Sequence, residues 1–322
     1  MSEYHVAFWN VENLFDVEGS PRRSEKLDRT LAGELKGWTN AVLDSKIQQL
    51  ASIIRQMNAG KGPDLLGVCE IENEYVLNLL VDALKALNRK YKIAHADTKD
   101  NRGIDVAFIY DSVCLTAKEQ FSHFIVKRTA SRDLLQVNFQ TNSGNRLVVV
   151  GNHWPSRSGG QYESEPFRII AGETLAYFHE RIREVSGDEN VAVLAMGDFN
   201  DEPFNRSLVE YAQSEQTRAK VTRAQMAKFL NLMWPSLGQG IGTHYFNNQA
   251  SVLDQFLVSK GLSTGNSGIT VLPESVEVLQ FPEMKDGGTY QSPIRFGRPS
   301  EKSFNSKGFS DHYPISLRLQ EA

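Results

Sequence analysis

Several apolar runs in the sequence end in side chains that can bind cations or transfer protons. The run AVLAM at 192–196 is followed by Gly197 and then by Asp198 and Asn200. Similar positions, at or beside the end of an apolar run, are occupied by Asn10, Glu70, Asn152, His153, Asp254, Asp311 and His312. Carboxylates, amides and imidazoles ligate hard cations and move protons. If these run ends converge in the fold, they predict a site that combines a metal ion with proton transfer.

The elements that must position these side chains follow from the spacing of apolar residues. Short apolar or β-branched runs predict strands at 6–9, 65–69, 106–110, 135–140, 147–151, 191–196, 255–258 and 315–319. Apolar residues that recur at steps of three and four predict helices at 40–57, 74–87 and 166–182. Strands that are apolar on both faces need cover from helices against two packed sheets. The sequence therefore predicts a mixed α and β class.

The chain is expected to form one domain, 1–322, because it has no linker, internal repeat or low-complexity segment. Cys69 and Cys114 have no metal-site spacing, which argues against a zinc site and a disulfide scaffold. The N-terminus is acidic where a signal peptide is basic, and no apolar run approaches the ~18 residues of a membrane span. We expect a cytoplasmic monomer without membrane contact, unless a leader has been removed.

Charge restricts how the chain could hold a polyanion. It has 35 Lys and Arg against 39 Asp and Glu, so there is no general positive field for nucleic acid. A local patch is possible in the late loop, residues 289–309, which has one acid, Glu301. Its basic and aromatic residues are Arg295, Arg298, Lys302, Lys307, Tyr290, Phe296, Phe304 and Phe309. This composition suits either a clamp on a nucleic-acid strand or a solvated loop.

Blocks along nearly the whole chain resemble the endonuclease/exonuclease/phosphatase superfamily, which includes deoxyribonuclease I, apurinic endonucleases, sphingomyelinases and inositol polyphosphate 5-phosphatases. In the family's order they are WNVENLF, CEIEN, RGIDVAFIY, GNHWPSR, GDFNDEP, LDQFLVS and SDHYPI. The resemblance is greatest to bacterial nuclease-like members. It implies a four-layer sandwich of two packed mixed β-sheets flanked by helices, with the active site at the sheet ends.

The resemblance also implies a metal site. Glu70 is the first choice as ligand, Asn10 positions Glu70 or coordinates through its amide oxygen, and Asp311 completes the site. Magnesium commonly takes one or two carboxylates together with water and phosphate oxygens, so a sparse acidic site suits it, with manganese as a substitute.

Proton transfer is expected from His312, as general base or as the partner of an incoming water. In the family, Asp254 is the carboxylate that orients this histidine. Asp198 and Asn200 would hold the nucleophilic water and a phosphate oxygen, and a second metal at Asp198 stays open. Asp201 and Glu202 are expected to cap a helix after Pro203.

His153 is expected to face the phosphate as a cation or as a proton donor to the leaving group. Asp105 is its expected partner, from a loose alignment with deoxyribonuclease I-like members. Arg157 would either hold phosphate or face solvent. We interpret four histidines, His5, His95, His123 and His179, as structural, and leave His244 undecided.

Three functions are compatible with this pattern. The leading hypothesis is a magnesium-dependent nuclease or phosphodiesterase with nucleic acid as substrate. The second is a phosphatase or phosphodiesterase that acts on a small phosphorylated metabolite or lipid headgroup. The third is a catalytically silent binding module, which would have no chemical reason to retain both Asp254 and His312.

Overall fold

The computed structural model describes residues 2–128 and 131–321, which form two β-sheets packed between layers of helices. The strands are β1 (Ser2–Leu14), β2 (Leu65–Ile71), β3 (Tyr91–His95), β4 (Asp105–Asp111), β5 (Leu115–His123), β6 (Leu134–Thr141), β7 (Arg146–His153), β8 (Ala192–Asp198), β9 (Ser214–Glu215), β10 (Phe229–Asn231), β11 (His244–Phe246), β12 (Gln249–Ser251), β13 (Asp254–Val258), β14 (Ile269–Val278) and β15 (Ile315–Glu321). The helices are α1 (Glu25–Leu35), α2 (Asn40–Ile54), α3 (Glu74–Ala83), α4 (Gln161–Ser186), α5 (Arg218–Arg223) and α6 (Lys260–Thr264).

Two mixed sheets form the middle of the molecule. The first has the order β14, β15, β1, β2, β4, β3, and the second has the order β5, β6, β7, β8, β13, β10, β9. β11 and β12 form a separate hairpin. Strands β1 and β2 are parallel, as are β7 and β8, so the C-terminal ends of each pair lie at one edge of their sheet.

The core alternates between two sides of each sheet, as a strand's period of two requires. In β1, Val6 and Phe8 pack between the sheets, whereas Ala7 and Trp9 pack against α1, α2 and α3. The second sheet is covered on its outer face by α4, through residues such as Leu175. This arrangement confirms the predicted four-layer sandwich.

All the predicted strands and helices occur, with shifted ends. The second helix predicted ends at Ala83 and continues as a short 3-10 turn, and the third starts at Gln161, five residues before Pro166. Strands β3, β5, β9, β10, β11, β12 and β14 and helices α1, α5 and α6 were not predicted. β5 is largely exposed and β14 mostly half-buried, and polar residues interrupt both, so they lack the apolar runs on which the prediction depended. None of the helices in the described part of the chain combines the length and hydrophobicity needed to span a bilayer.

β1 and β2 are irregular where they carry predicted metal ligands. The register between them slips after Asn10, and the next residues include Glu12 and Asn13, with φ of 49° and 55°. The register between β2 and β4 slips around Glu70, whose φ is 64°. Left-handed backbone at residues that carry a Cβ costs on the order of 1–3 kcal/mol each and clusters at functional sites. Bulges of this kind redirect side chains at a sheet edge.

Candidate active site

The register of the second sheet places three predicted site residues in one row. His153 at the end of β7 lies opposite Asp198 at the end of β8, and Asp254 at the start of β13 lies opposite Asp198 from the other side. All three are buried. They are far apart in sequence, so only strand pairing brings them together.

His312, in the segment before β15, bridges two of these carboxylates. Its Nδ1 lies 2.7 Å from Oδ2 of Asp254, and its Nε2 lies 3.9 Å from Oδ2 of Asp198. The backbone is held as well, because the indole of Trp9 donates a hydrogen bond to the carbonyl of His312 at 2.9 Å. The imidazole is therefore fixed between two acids, with Nε2 directed toward Asp198.

The two acids change the protonation of this histidine. Burial lowers the pKa of His312, but the charges of Asp254 and Asp198 outweigh it and hold the pKa well above its usual range. Burial also raises the pKa of Asp198 to about 7, with Asp254 adding to the rise and His312 opposing it. At neutral pH the ring of His312 is therefore protonated, whereas Asp198 is close to its pKa.

Two asparagines hold Asp198. The side-chain amides of Asn10 and Asn200 donate to its Oδ2 at 3.1 and 3.2 Å, and the backbone amide of Asn200 donates to its Oδ1 at 2.8 Å. Asn200 has a left-handed φ of 51°. The first sheet, through Asn10, and the second sheet, through Asp198, therefore meet at this carboxylate.

Glu70 and His153 form the other side of the site. Nε2 of His153 lies 3.7 Å from Oε1 of Glu70 and 3.9 Å from Oδ2 of Asp198. Oε2 of Glu70 accepts a hydrogen bond from the backbone amide of Asn13 at 3.0 Å. Burial lowers the pKa of His153 well below its usual value, with two nearby arginines adding to the effect, so this imidazole is neutral at neutral pH.

The donors predicted to bind metal fit a hard cation by their chemistry. Burial raises the pKa of Glu70, but the charges of Arg102, Arg132 and His312 and the amide of Asn13 hold it below its ordinary value, so the carboxylate is ionised. The hydroxyl of Ser310, which precedes Asp311, donates a hydrogen bond to the carbonyl of Asn10 at 2.6 Å, so this segment lies beside the bulge of β1. Glu70, Asp311 and the amide oxygen of Asn10 are all oxygen donors of the kind that magnesium selects.

A second group of potential ligands comprises Asp198, Asp254 and His312, whose donor atoms all lie within 4.8 Å of one another. In this group Nδ1 of His312 is hydrogen-bonded to Asp254, and its Nε2 faces Asp198. Because we assign His312 and Asp198 to proton transfer, we keep Asn10, Glu70 and Asp311 as the proposed metal ligands.

Asp105 does not pair with His153 as expected. Its Oδ1 accepts hydrogen bonds from the backbone amide and hydroxyl of Thr98, at 3.1 and 2.6 Å, and its Oδ2 lies 3.3 Å from Nε2 of His95. The reason is strand β3, an edge strand that the sequence did not reveal, which places His95 beside the start of β4.

The late loop was expected to be either a clamp on a nucleic-acid strand or a solvated loop, but most of its basic and aromatic side chains are held on the protein. Arg295 is paired with Glu12 at 2.8 Å, and Arg298 is paired with Glu34 at 3.1 Å and with Glu301 at 3.4 Å. Of the four aromatic residues only Tyr290 is exposed, since Phe296 and Phe309 are buried and Phe304 packs against Phe296. Glu12 comes from β1 and Glu34 from α1, so the composition of the loop alone overstated its unpaired positive charge.

Arg157 and its neighbours support the GDFND segment. Nε of Arg157 donates to the carbonyl of Asn200 at 2.7 Å, so this side chain is held on the protein. Asp201 is paired with the buried Arg168 at 2.8 Å, and Glu202 accepts from the backbone amide of Val252 at 3.0 Å. The expected helix caps are therefore wrong, because the chain after Pro203 forms only a short π-helical turn at Ser207–Tyr211.

Residues outside the predicted set also border the site. The positive charges of Arg102 and Arg132 lower the pKa of both Glu70 and His153. The ring centroids of His244 and His312 are 4.7 Å apart. Arg102 begins the RGID block and could have been chosen on that ground, whereas Arg132 carries no motif.

Comparison with known proteins agrees with this architecture. A model of the endonuclease/exonuclease/phosphatase family matches residues 5–321. A mannosyl-6-phosphatase of Bacteroides thetaiotaomicron VPI-5482 is 16% identical with a TM-score of 0.57, covering 98% of this chain and 99% of that one. Truncated Caenorhabditis elegans TDP2 is 15% identical with a TM-score of 0.57, covering 99% and 98%. The human Nocturnin catalytic domain with bound sulfate is 15% identical with a TM-score of 0.53, covering 99% and 95%. No curated protein matches the chain.

Proposed function

Because the chain belongs to the endonuclease/exonuclease/phosphatase family, whose activities are hydrolyses of phosphoric esters, we propose that it is a metal-dependent phosphoric ester hydrolase. The observation that carries the proposal is the buried imidazole of His312, held 2.7 Å from Asp254 and 3.9 Å from Asp198 where the ends of both sheets meet. This geometry suits proton transfer and charge stabilisation at a reacting phosphate.

Each side chain has a role that follows from its surroundings. Asp198, with a pKa of about 7, can accept a proton from an attacking water at neutral pH. His312, held protonated by its two acids, donates from Nε2 to an oxygen of the phosphate and stabilises negative charge there. His153 is a neutral donor on the opposite side. Asn200 fixes Asp198 and faces the same space.

Magnesium, with manganese as a substitute, is the proposed cofactor, held by Glu70, Asn10 and Asp311. A bound divalent cation would neutralise charge on the nonbridging phosphate oxygens. The surroundings of Glu70 favour this role, because they keep its carboxylate ionised and the backbone amide of Asn13 donates a hydrogen bond to its Oε2.

Nucleic acid is the first substrate that we propose. Lys302, Lys307 and Tyr290 of the late loop are exposed on the segment that leads into Asp311, and they can contact a strand near the site. A small phosphorylated molecule is the second candidate. It is favoured by the pairing of Arg295 and Arg298 with glutamates, which leaves few free cations for a polymer.

A substrate panel tests the proposal. Plasmid DNA, single-stranded DNA, RNA, bis-p-nitrophenyl phosphate, p-nitrophenyl phosphate and inositol phosphates are each incubated with magnesium, manganese or EDTA. We expect hydrolysis of at least one phosphoester with metal and none in EDTA, and Glu70→Gln should lose most of this activity while keeping its circular dichroism spectrum.

Undiminished turnover in EDTA would contradict the metal requirement. No turnover of any substrate with either metal would contradict the hydrolase and favour a silent binding module.

A further inference from the structure

Arg102 and Arg132 are each linked to the proposed site by hydrogen bonds through one intervening residue. Nη2 of Arg102 donates to the side-chain oxygen of Asn13 at 2.7 Å, and the backbone amide of Asn13 donates to Glu70. Nη2 of Arg132 donates to the carbonyl of Trp154 at 3.2 Å, and the side-chain amide of Asn200 donates to the same carbonyl at 3.0 Å. The two guanidinium groups therefore approach the site beside Glu70 and beside Asn200.

A single buried carboxylate ties the two arginines together. Oδ1 of Asp100 accepts from the backbone amide of Arg102 at 2.9 Å, and its Oδ2 accepts from Nη1 of Arg132 at 3.4 Å. Arg102 lies between β3 and β4, whereas Arg132 lies just before β6. Asp100 thus links the two chain segments that carry these arginines, and this link does not depend on a bound substrate.

The charge of Arg132 is less closely paired than the charges of two other buried arginines. Arg23 pairs with Glu72 at 2.7 Å and Arg168 with Asp201 at 2.8 Å. By contrast, the side chain of Arg132 is 9% exposed, its ion pair with Asp100 is 3.4 Å long, and its Nε has no hydrogen-bond partner among residues 2–128 and 131–321.

Arg102, with 35% of its side chain exposed, approaches the carboxylate of Glu34 only to 3.9 Å. The charge of Arg132 is buried and its pair with Asp100 is long, so an anion that adds to this pairing binds favourably. Nδ1 of His153 is a further buried polar atom without a partner in the described ranges.

We propose that Arg102 and Arg132 form an anion subsite for a dianionic phosphate, so that phosphomonoesters, at the end of a nucleic-acid strand or on a small molecule, are preferred to phosphodiesters. This inference rests on the proposed hydrolase function and assigns its substrate class. A phosphodiester carries one negative charge, whereas a phosphomonoester carries about −1.5 to −2 at pH 7 and has three nonbridging oxygens. Two guanidinium groups match this extra charge, because each can donate two parallel hydrogen bonds to phosphate oxygens.

The test compares a monoester with a diester that share one leaving group. Values of kcat/KM are measured with magnesium for p-nitrophenyl phosphate and bis-p-nitrophenyl phosphate, in the wild type, Arg102→Gln and Arg132→Lys. Charge-assisted hydrogen bonds of this type correspond to losses of about 10- to 100-fold. We expect such losses on the monoester, smaller losses on the diester, and a matching rise in the inhibition constant of inorganic phosphate. Arg318→Gln, a half-exposed arginine on β15, is the matched control.

The outcomes separate the subsite from the hydrolase. Equal losses on both esters, or no loss on either, would overturn the subsite while the proposed function stands. If the wild type hydrolyses neither ester, calorimetry with inorganic phosphate still decides, since Arg102→Gln should bind it at least tenfold more weakly and equal binding overturns the subsite.

Both variants should fold, because the side chain of Arg102 is partly exposed and Arg132→Lys keeps the positive charge. Thermal melting measures this. If the monoester preference holds, phosphate release from a 5′-phosphorylated oligonucleotide and from glucose 6-phosphate then distinguishes a polymer end from a sugar phosphate as its source.

Discussion

The two carboxylates beside His312 determine what each residue of this group can do. A free imidazole with a pKa near 6.5 would be a natural base, which was the expectation from sequence. Here Asp254 and Asp198 hold His312 protonated, and burial leaves Asp198 as the group with a pKa of about 7. The proposed base is therefore the carboxylate, and the imidazolium is the proposed donor to phosphate.

Replacing His312 with alanine should lower kcat by ~10²- to 10⁴-fold, the usual range for a positioned acid or base. Asp254→Asn should also be damaging, because it removes the charge that keeps His312 protonated and oriented. Since Asp254 acts through His312, the double variant should be little worse than His312→Ala alone. Steady-state kinetics on bis-p-nitrophenyl phosphate measures all three.

Independent, multiplicative losses in the double variant would show that the two residues do not act as a pair. His123→Ala is a suitable control, because His123 on the edge strand β5 is stacked on Phe178 and hydrogen-bonded to Gln136, and should keep near wild-type turnover.

Among the secondary-structure elements, the late loop has a different role from the one its composition indicated. Arg295 holds Glu12 in the bulge of β1, and Arg298 links the loop to Glu34 of α1. Phe296 and Phe309 anchor the loop in the core between the first sheet and its helices. The loop therefore shapes the rim of the site. Lys302 and Lys307 are exposed, and the also exposed Arg295 is paired with Glu12.

We therefore expect substitutions of the loop's lysines and of Arg295 to have different effects on polymer and small-molecule substrates. Neutralising Lys302 and Lys307 together should weaken DNA or RNA cleavage, reduce the salt slope by about 0.7 to 0.9 per lost phosphate contact, and leave bis-p-nitrophenyl phosphate nearly untouched. Neutralising Arg295 should affect both substrates, because it leaves the buried Glu12 without its partner. Cleavage rates at several salt concentrations measure the difference.

If the lysine variant loses equally on the polymer and on the small diester, these lysines shape the site and do not bind a strand. If it loses on neither, the main support for a nucleic-acid substrate disappears.

For the whole molecule, buried histidines make stability depend on pH. His179 of α4 is buried and stacked on Phe229 of β10, with ring centroids 3.8 Å apart. Burial, with Arg183 adding to the effect, lowers its pKa to about 3. The unfolded imidazole titrates near 6.5, so between these values the unfolded chain binds a proton that the folded chain does not. The stability is complete above pH 6.5 and is lost as pH falls toward 3.

His179→Phe should therefore flatten the acid side of the stability profile. Between pH 7.5 and 5 the wild type should lose about 2 kcal/mol of unfolding free energy more than the variant. Urea unfolding at the two pH values measures this. Tyr177→Phe, an exposed neighbour on α4, should follow the wild type, and a variant as pH-sensitive as the wild type would show that His179 is not responsible.

Much of the architecture could be predicted from local pattern. The apolar runs of β1, β2, β7 and β8 are long enough to be recognised, and the polar residues at their ends indicated where chemistry would occur. The helices with a clear apolar stripe were also predicted, with errors only at their ends. Burial imposes these periods on neighbouring residues, so a single sequence is enough to reveal them.

Pairing partners, by contrast, were decided by the tertiary structure. Asp105 binds Thr98 and His95 because an edge strand without an apolar signal lies beside it, and Arg295 meets a glutamate 283 positions earlier in the chain. The protonation of His312 likewise depends on acids from two other strands. The sequence by itself determined which residue types stand at the strand ends. Strand register and loop packing decided which charges lie close together. Electrostatic interactions join residues that are distant in sequence, so they give no periodic pattern along the chain.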